Sequence, residues 1–292
     1  MCVVACKYFE DIGWVIAKNR DRNYKPTIII RKSFRRNTER LYIWDDRTKY
    51  TEGINEFGVA IVSASVTVKE DEAEGQAAVS QNKLDKKAKI KNRTYYAPDG
   101  LRIRTALFER SAAEAASALI ELEIPGNTII ADRERCFILE GAFVENDEYV
   151  YKILEVPKEK IAVRTNHGLF LPWTGYSKEI PEQVPKRESS DARYEKAVSG
   201  IKKAQTFDEF LDAMSDTSDK NPQMNPLRVD PERNSMRTTG QLVMVPKEQT
   251  LHYRPIWCET EFDLDKLNTE EERTFFEIIS TRKLLSFRDF TK

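Results

Sequence analysis

The order of sequence patterns predicts an α+β fold built on antiparallel sheets. Three observations carry this. Short apolar and β-branched runs fill the first 68 residues, helical spacing sets in from Leu101, and strand-like runs then return ahead of a second helical block. Blocks of strands alternating with blocks of helices, rather than strict strand-helix alternation, indicate α+β. The 292 residues, 40% hydrophobic, suffice to bury a large core, and with no repeat or linker the expectation is one domain over 1–292.

In chain order, residues 2–8, 13–18, 27–31 and 41–44 read as short strands, with Gly13 and the basic stretch Lys32 to Arg40 as turns or loops. Asn55 to Gly58 gives a turn signal, and the β-branched and small residues after it read as a strand central to its sheet. Residues 69–98 run acidic and then basic with few large apolar side chains, which predicts a polar surface excursion. From Leu101, the positions Ile103, Leu107, Ala115, Ala118, Leu119 and Leu122 fall at helical spacing until Pro125-Gly126. Two helices are expected there, Ser111 capping the second and Glu114 completing a capping box. Strands return at 128–131, 136–140, 149–155 and 161–164. Helices are expected at 191–205 and 207–214, a polar loop at 215–235, a hairpin of 239–245 with 250–257, and a terminal helix from Asn268 to Leu285 within a C-terminal helical extension, 262–292.

Lys and Arg total 47 against 48 Asp and Glu, a net charge of -1, so no general attraction to nucleic acid or a membrane surface is expected. No secretory signal pattern or membrane-length apolar run occurs, which predicts a cytoplasmic protein. The four cysteines, Cys2, Cys6, Cys136 and Cys258, form no CxxC pair and are expected to stay reduced. With only two histidines, a histidine-rich metal site is not expected.

Cys2 is the leading candidate for chemistry. A small residue at position two permits removal of the initiator Met, after which one residue carries both a thiol and a free amine. An α-amino group, with an ordinary pKa of about 7.7 to 8.0, is substantially neutral near pH 7 and can act as the base that a thiol nucleophile needs. Lys18 and Asp21 would sit just past the second strand. A cation there favours thiolate, and a carboxylate can orient the amine. Cys6 shares a strand face with Cys2 and reads as a small core residue. His167 permits a papain-like rival, a cysteine paired with a histidine base.

Cys2 followed by Lys18-Asn19-Arg20-Asp21 resembles the opening of the cysteine-type N-terminal nucleophile (Ntn) hydrolases, which include choloylglycine (bile-salt) hydrolase, penicillin V acylase, isopenicillin N acyltransferase and related cysteine dipeptidases. The resemblance implies a four-layer αββα sandwich, two antiparallel sheets between helical layers. It also implies that Asn166, in Thr165-Asn166-His167, gives its side-chain NH₂ to an oxyanion hole, and that Arg193, after Ser189-Ser190, belongs to the active-site charge network. On the residues alone, the turn reading of Asn166 before Gly168 is favoured, and Arg193 reads as an exposed arginine in the first turn of its helix. Two departures stand out: Lys18 replaces the arginine of the bile-salt and penicillin branch, and Ser65 stands where that branch has a second oxyanion asparagine. Either the Ser65 backbone N-H substitutes for it or the substrate class differs; Phe170, Trp173 and Trp14 read as lining an acyl pocket or as plain core.

The expected function is hydrolysis of a linear, non-peptide amide of a small acylated molecule through a thioester on Cys2, with Lys18, Asp21, Asn166 and Arg193 in support. No metal or organic cofactor is required, the partner is a small-molecule amide, and a homo-oligomer is open. Acyl transfer or dipeptidase activity on the same fold, or non-enzymatic ligand binding if Met1 is retained, are the alternatives.

Overall fold

The computed structural model describes residues 2–66, 99–144, 148–229, 235–264 and 285–286. The chain opens with six strands, β1 (Cys2–Phe9), β2 (Gly13–Arg22), β3 (Thr27–Arg35), β4 (Thr38–Asp45), β5 (Thr51–Asn55) and β6 (Ala60–Ala64). Helices α1 (Asp99–Ala106) and α2 (Ala112–Glu121) precede β7 (Gly126–Ala131), β8 (Cys136–Phe143), β9 (Tyr149–Glu155) and β10 (Ala162–Arg164). Then come α3 (Val184–Lys203), α4 (Phe207–Met214), a 3-10 turn Pro222–Met224, and strands β11 (Arg237–Val245), β12 (Thr250–Pro255), β13 (Glu259–Leu264) and β14 (Leu285–Ser286).

The strands form two sheets. The first runs β10-β1-β2-β11-β12-β14 and the second β13-β3-β4-β5-β6-β7-β8-β9. All pairings are antiparallel except β13 with β3. Side-chain alternation assigns the layers. Cys2, Val4, Cys6, Trp14 and Ile16 point from the first sheet into a core shared with Ile28, Ile43, Ile54, Val62 and Ile138 of the second. The opposite face of the first sheet, Val3, Ala5, Val15 and Ala17, packs under Ala197 and Ile201 of α3 and Phe210 and Met214 of α4. The outer face of the second sheet, through Ile61, Ile130 and Leu139, takes Ile103 of α1 and Ala115 and Leu119 of α2. The molecule is thus the αββα sandwich expected from the resemblance. Each fully buried large aliphatic side chain in these layers contributes about 1.5–3 kcal/mol.

Several boundaries differ from the sequence expectation. Lys18 to Asp21 lie inside β2, not past it, because β1 on one side and β11 on the other pair this stretch along its length. The basic stretch 32–40 is a β3-β4 hairpin, turned at Arg36 and Asn37 with φ of 54° and 57°, the left-handed pair a two-residue turn demands. Strand β5 lies where no strand was expected. The central strand after Gly58 is there, between β5 and β7, but stops at Ala64. Ser111 caps α2 through the Glu114 N–H, yet the Glu114 carboxylate accepts from Arg110 rather than completing the box. Helix α3 begins at Val184, seven residues ahead of Asp191, with proline in its first turn. Residues 262–264 belong to β13 and Leu285 to β14, so the C-terminal stretch is not wholly helical. The excursion 69–98 and residues 268–284 lie outside the described residues.

Candidate active site

Cys2 begins β1 beside Arg20 of β2, with Lys18 opposite Val4, so Cys2, Lys18 and Arg20 share the face toward the second sheet. All three are buried. Glu52 of β5 meets them from that sheet, one carboxylate oxygen on Lys18 and the other on Arg20 Nη1. Lys18 Nζ also donates to Ser63 O at 2.6 Å and lies 4.5 Å from the Tyr50 ring centroid. Arg20 donates to Tyr50 O at 3.0 Å and stands 3.4 Å from Asp45, which also takes Arg22 Nε at 2.9 Å. Burial alone would raise Glu52, but Arg20 and Lys18 hold its carboxyl below the usual range.

The other face of β2 carries Asn19, which donates to Met214 O and Pro226 O, and Asp21, which faces Arg193 of α3. Asp21 Oδ1 accepts the Thr238 hydroxyl at 2.8 Å. Its Oδ2 lies 3.7 Å from Arg193 and 3.4 Å from Arg228. All three charged side chains are 0% exposed, so the network is held by mutual compensation rather than by water. Oδ2 itself meets no hydrogen-bond donor among the described residues. Arg193 is not in the first turn of its helix or exposed: it sits mid-helix in α3 and joins the site's parts. Its Nη1 donates to Cys2 O at 3.1 Å, its Nη2 to Asn166 Oδ1 at 3.2 Å, and its Nε to Ser189 O at 3.1 Å. Burial and neighbouring Arg228 lower Arg193 to about 9, which leaves it charged at neutral pH.

Asn166 follows β10, itself paired with β1. Its position is fixed on every side. Asn127 donates to the carbonyls of Thr165 and His167, and the Asn166 N–H donates to Ser190 Oγ at 3.0 Å. Gly175 (φ 83°) closes against the same segment, where a Cβ would stand 2.4 Å from Asn166 O, so only glycine fits. The Asn166 Oδ1 faces two donors, the Cys2 N–H at 2.8 Å and Arg193, which fixes that atom as oxygen. The amide NH₂ consequently points the other way and donates to Ser65 O at 2.6 Å. One of its two hydrogens is used there, and the other is the donor available to an oxyanion.

The Cys2 thiol feels opposing influences. Burial raises it, but the Lys18 ammonium, the amino terminus and Arg22 outweigh burial and Asp21, and the thiol is lowered to about 7. A thiolate is therefore well populated at neutral pH. His167 does not serve it: Nδ1 faces Thr165 and Ser190, and Nε2 approaches Asp191 at 3.5 Å. Burial, then Arg187, lower that imidazole to about 4, so it is neutral.

The expected acyl-pocket residues diverge. Ser65 is exposed and holds Asn166 through its carbonyl. Phe170 is half-buried against the inter-sheet core that includes Cys2, with the Arg164 guanidinium 4.6 Å over its ring. Trp173 is 54% exposed, whereas Trp14 is fully buried core with its Nε1 on Glu134 O. Glu140, unanticipated from sequence, anchors this loop by accepting the N–H groups of Leu169, Phe170 and Leu171. Glu52 and Arg228 were also missed. Three cations at period-two spacing on β2, Lys18, Arg20 and Arg22, are the signal that acids must face them. Arg228 lies in irregular chain and gives no such signal. Among the described residues, no three His, Cys, Asp or Glu side chains gather as a metal site, and no helix is long and apolar enough to cross a membrane.

No protein-family model and no curated protein matches the sequence. The solved structures similar to this chain include two that cover 87% of it. One is penicillin V acylase from Agrobacterium tumefaciens, at 13% identity and a TM-score of 0.47, with 83% of that chain covered. The other is the C2A mutant of conjugated bile acid hydrolase from Clostridium perfringens, at 13% identity and 0.44, with 89% covered.

Proposed function

We propose that this protein is an amidohydrolase that cleaves a linear, non-peptide amide through a thioester on Cys2, once Met1 has been removed. The observation that carries the reading is Arg193, which touches the Cys2 carbonyl, Asn166 and Asp21 together and so draws segments from four parts of the chain onto one residue. A merely structural cysteine needs no such surroundings, nor a thiol lowered to about 7.

In the proposed reaction the Cys2 sulfur attacks the amide carbonyl, and the Cys2 α-amine carries the proton to the leaving nitrogen. Water, activated by the same amine, then releases the acid and restores the thiol. Lys18 favours the thiolate. Asp21 Oδ2, buried and with no hydrogen-bond donor among the described residues, is the acceptor that orients the freed amine. Asn166 meets the oxyanion with its second amide hydrogen, helped by the backbone N–H of Ser65, and Arg193 holds Asn166 and Asp21 in place. Phe170 forms part of the acyl wall with Trp173 at its exposed rim.

The test is labelling with a small panel of thiol electrophiles, peptide mapping, and an amide-library screen on the purified chain. Labelling of Cys2 at neutral pH together with turnover of a linear amide is expected. Labelling confined to another cysteine, or none, defeats the reading.

A further inference from the structure

The Lys18 ammonium is the largest charge favouring thiolate at Cys2, yet lysine is a compact charge on a flexible four-carbon stem, poorly suited to holding one place unaided. Three contacts fix it: Glu52 of β5, the Ser63 carbonyl of β6 and the face of Tyr50. Only the first is a charge. Glu52 also holds Arg20, but the loss of Glu52 would fall unequally on the two cations. Arg20 keeps Asp45 at 3.4 Å and the Tyr50 carbonyl at 3.0 Å. Lys18, among the described residues, pairs with no other carboxylate.

We propose that Glu52 is a positioning residue: reaching across from the second sheet, it holds the Lys18 ammonium where that charge acts on the Cys2 sulfur. This rests on Cys2 being the nucleophile. It also accounts for a lysine at a position that calls for a fixed cation, since the facing acid supplies the rigidity that a guanidinium fork has by itself.

A positioning role and a simple charge effect predict opposite signs. Glu52 is an acid near the thiol, so if it acted only through its own charge, its removal would lower the thiol pKa. If it acts through Lys18, its removal frees the ammonium to move away and the thiol pKa rises. The other charged and titratable groups bearing on Cys2 are the amino terminus, Asp21, Arg20 and Arg22 of β2, Asp45 of β4, Tyr50 ahead of β5 and Arg193 of α3; the substitution replaces none of them and takes from Arg20 one of its two carboxylate partners.

The experiment is the rate of iodoacetamide alkylation of Cys2, followed by peptide mapping across pH, in wild type, Glu52→Gln, Lys18→Met and the double variant. Expected is an upward move of the midpoint in Glu52→Gln, with the rate at pH 7 falling by roughly three- to tenfold. In the Lys18→Met background the second substitution should add nothing further. A downward move, an unmoved midpoint with only a lower melting temperature, or an equal added rise without Lys18 each overturns the proposal. If Glu52→Gln does not fold, Glu52→Asp carries the test, since its shorter reach keeps the charge but loosens the clamp; an unmoved midpoint there overturns it too. Because alkylation needs no substrate, a protein with normal Cys2 labelling and no amide turnover defeats the amidohydrolase reading while leaving the role of Glu52 standing.

Discussion

The two faces of β2 carry charge in different ways. On the inward face, Lys18, Arg20 and Arg22 meet Glu52 and Asp45 from the second sheet, and each cation has a carboxylate oxygen within 3.4 Å. On the outward face, one carboxylate, Asp21, meets two arginines at 3.4 and 3.7 Å and keeps an oxygen that no hydrogen-bond donor reaches among the described residues. The inward network ties two sheets together and sets a fixed potential at the sulfur. In the outward network the two guanidinium groups stand too far from Asp21 Oδ2 for a hydrogen bond, and the proposed reaction would use that oxygen to receive an amine. In the proposed reaction one strand would separate the electrostatic work from the proton handling by the alternation of its side chains.

The sharpest way to break this comparison is at the sulfur, where both networks meet. Cys2→Ser should lower amide turnover by about 10³-fold or more, since a hydroxyl gains little from a nearby ammonium. Cys6→Ser, Cys136→Ser and Cys258→Ser should leave it largely intact, as steady-state kinetics will show.

Next in size is the outward network. Arg193→Met leaves Asp21 with Arg228 and the Thr238 hydroxyl and strips a donor from the Cys2 carbonyl and from Asn166. Breaking a buried pair in this way costs about 3–5 kcal/mol, to be read by chemical denaturation. In the protein that still folds, the kcat/KM profile should move to higher pH, because a cation near the thiol has gone. An unmoved profile would reduce Arg193 to a structural residue.

Asn166→Ala tests the link between the faces. If the second amide hydrogen meets the oxyanion, kcat should fall about 10²- to 10³-fold with little change in KM. Wild-type kinetics would return Asn166 to a turn residue ahead of Gly168.

The smallest effect concerns the histidine beside the outward network. His167 is lowered to about 4 from an ordinary 6.5, so the unfolded chain takes up its proton first as pH falls. Stability should therefore decline between about pH 6.5 and pH 4 and level off below, and the melting temperature of His167→Gln should lose part of that slope. His252, lowered by burial to about 4, contributes in the same window. Cys2 acts in the same direction, in a higher pH window. Its thiol is depressed from 9.0 to about 7, so its contribution is fully present only above the unfolded value and is lost as pH falls through 7.

What was legible in the sequence follows the range of the interactions. Cys2, Lys18 and Asp21 lie on one hairpin, and a short spacing in sequence becomes a short distance in space through local pairing. The α+β class with antiparallel sheets was readable because burial leaves a periodic trace, whereas the four-layer order came only from the resemblance. Glu52 was not, because Thr51 to Asn55 is a short polar strand whose acid makes sense only once the opposite sheet is stacked on it. The basic hairpin of β3 and β4 read as loop because its charges sit on a strand face. The true start of α3 was hidden by Pro185, and with it the mid-helix burial of Arg193. Arg228, placed by irregular chain, carries no pattern at all.

The central claim is that Cys2, as the first residue of the working protein, is the nucleophile that uses its own amine. It is tested most directly by intact mass and peptide mapping of the active protein after brief reaction with a turned-over amide, quenched in acid. The account predicts an N-terminal peptide that begins at Cys2 and carries the acyl group as a thioester. Active protein that retains Met1, or an acyl group mapped to Cys6, Cys136 or Cys258, would contradict it.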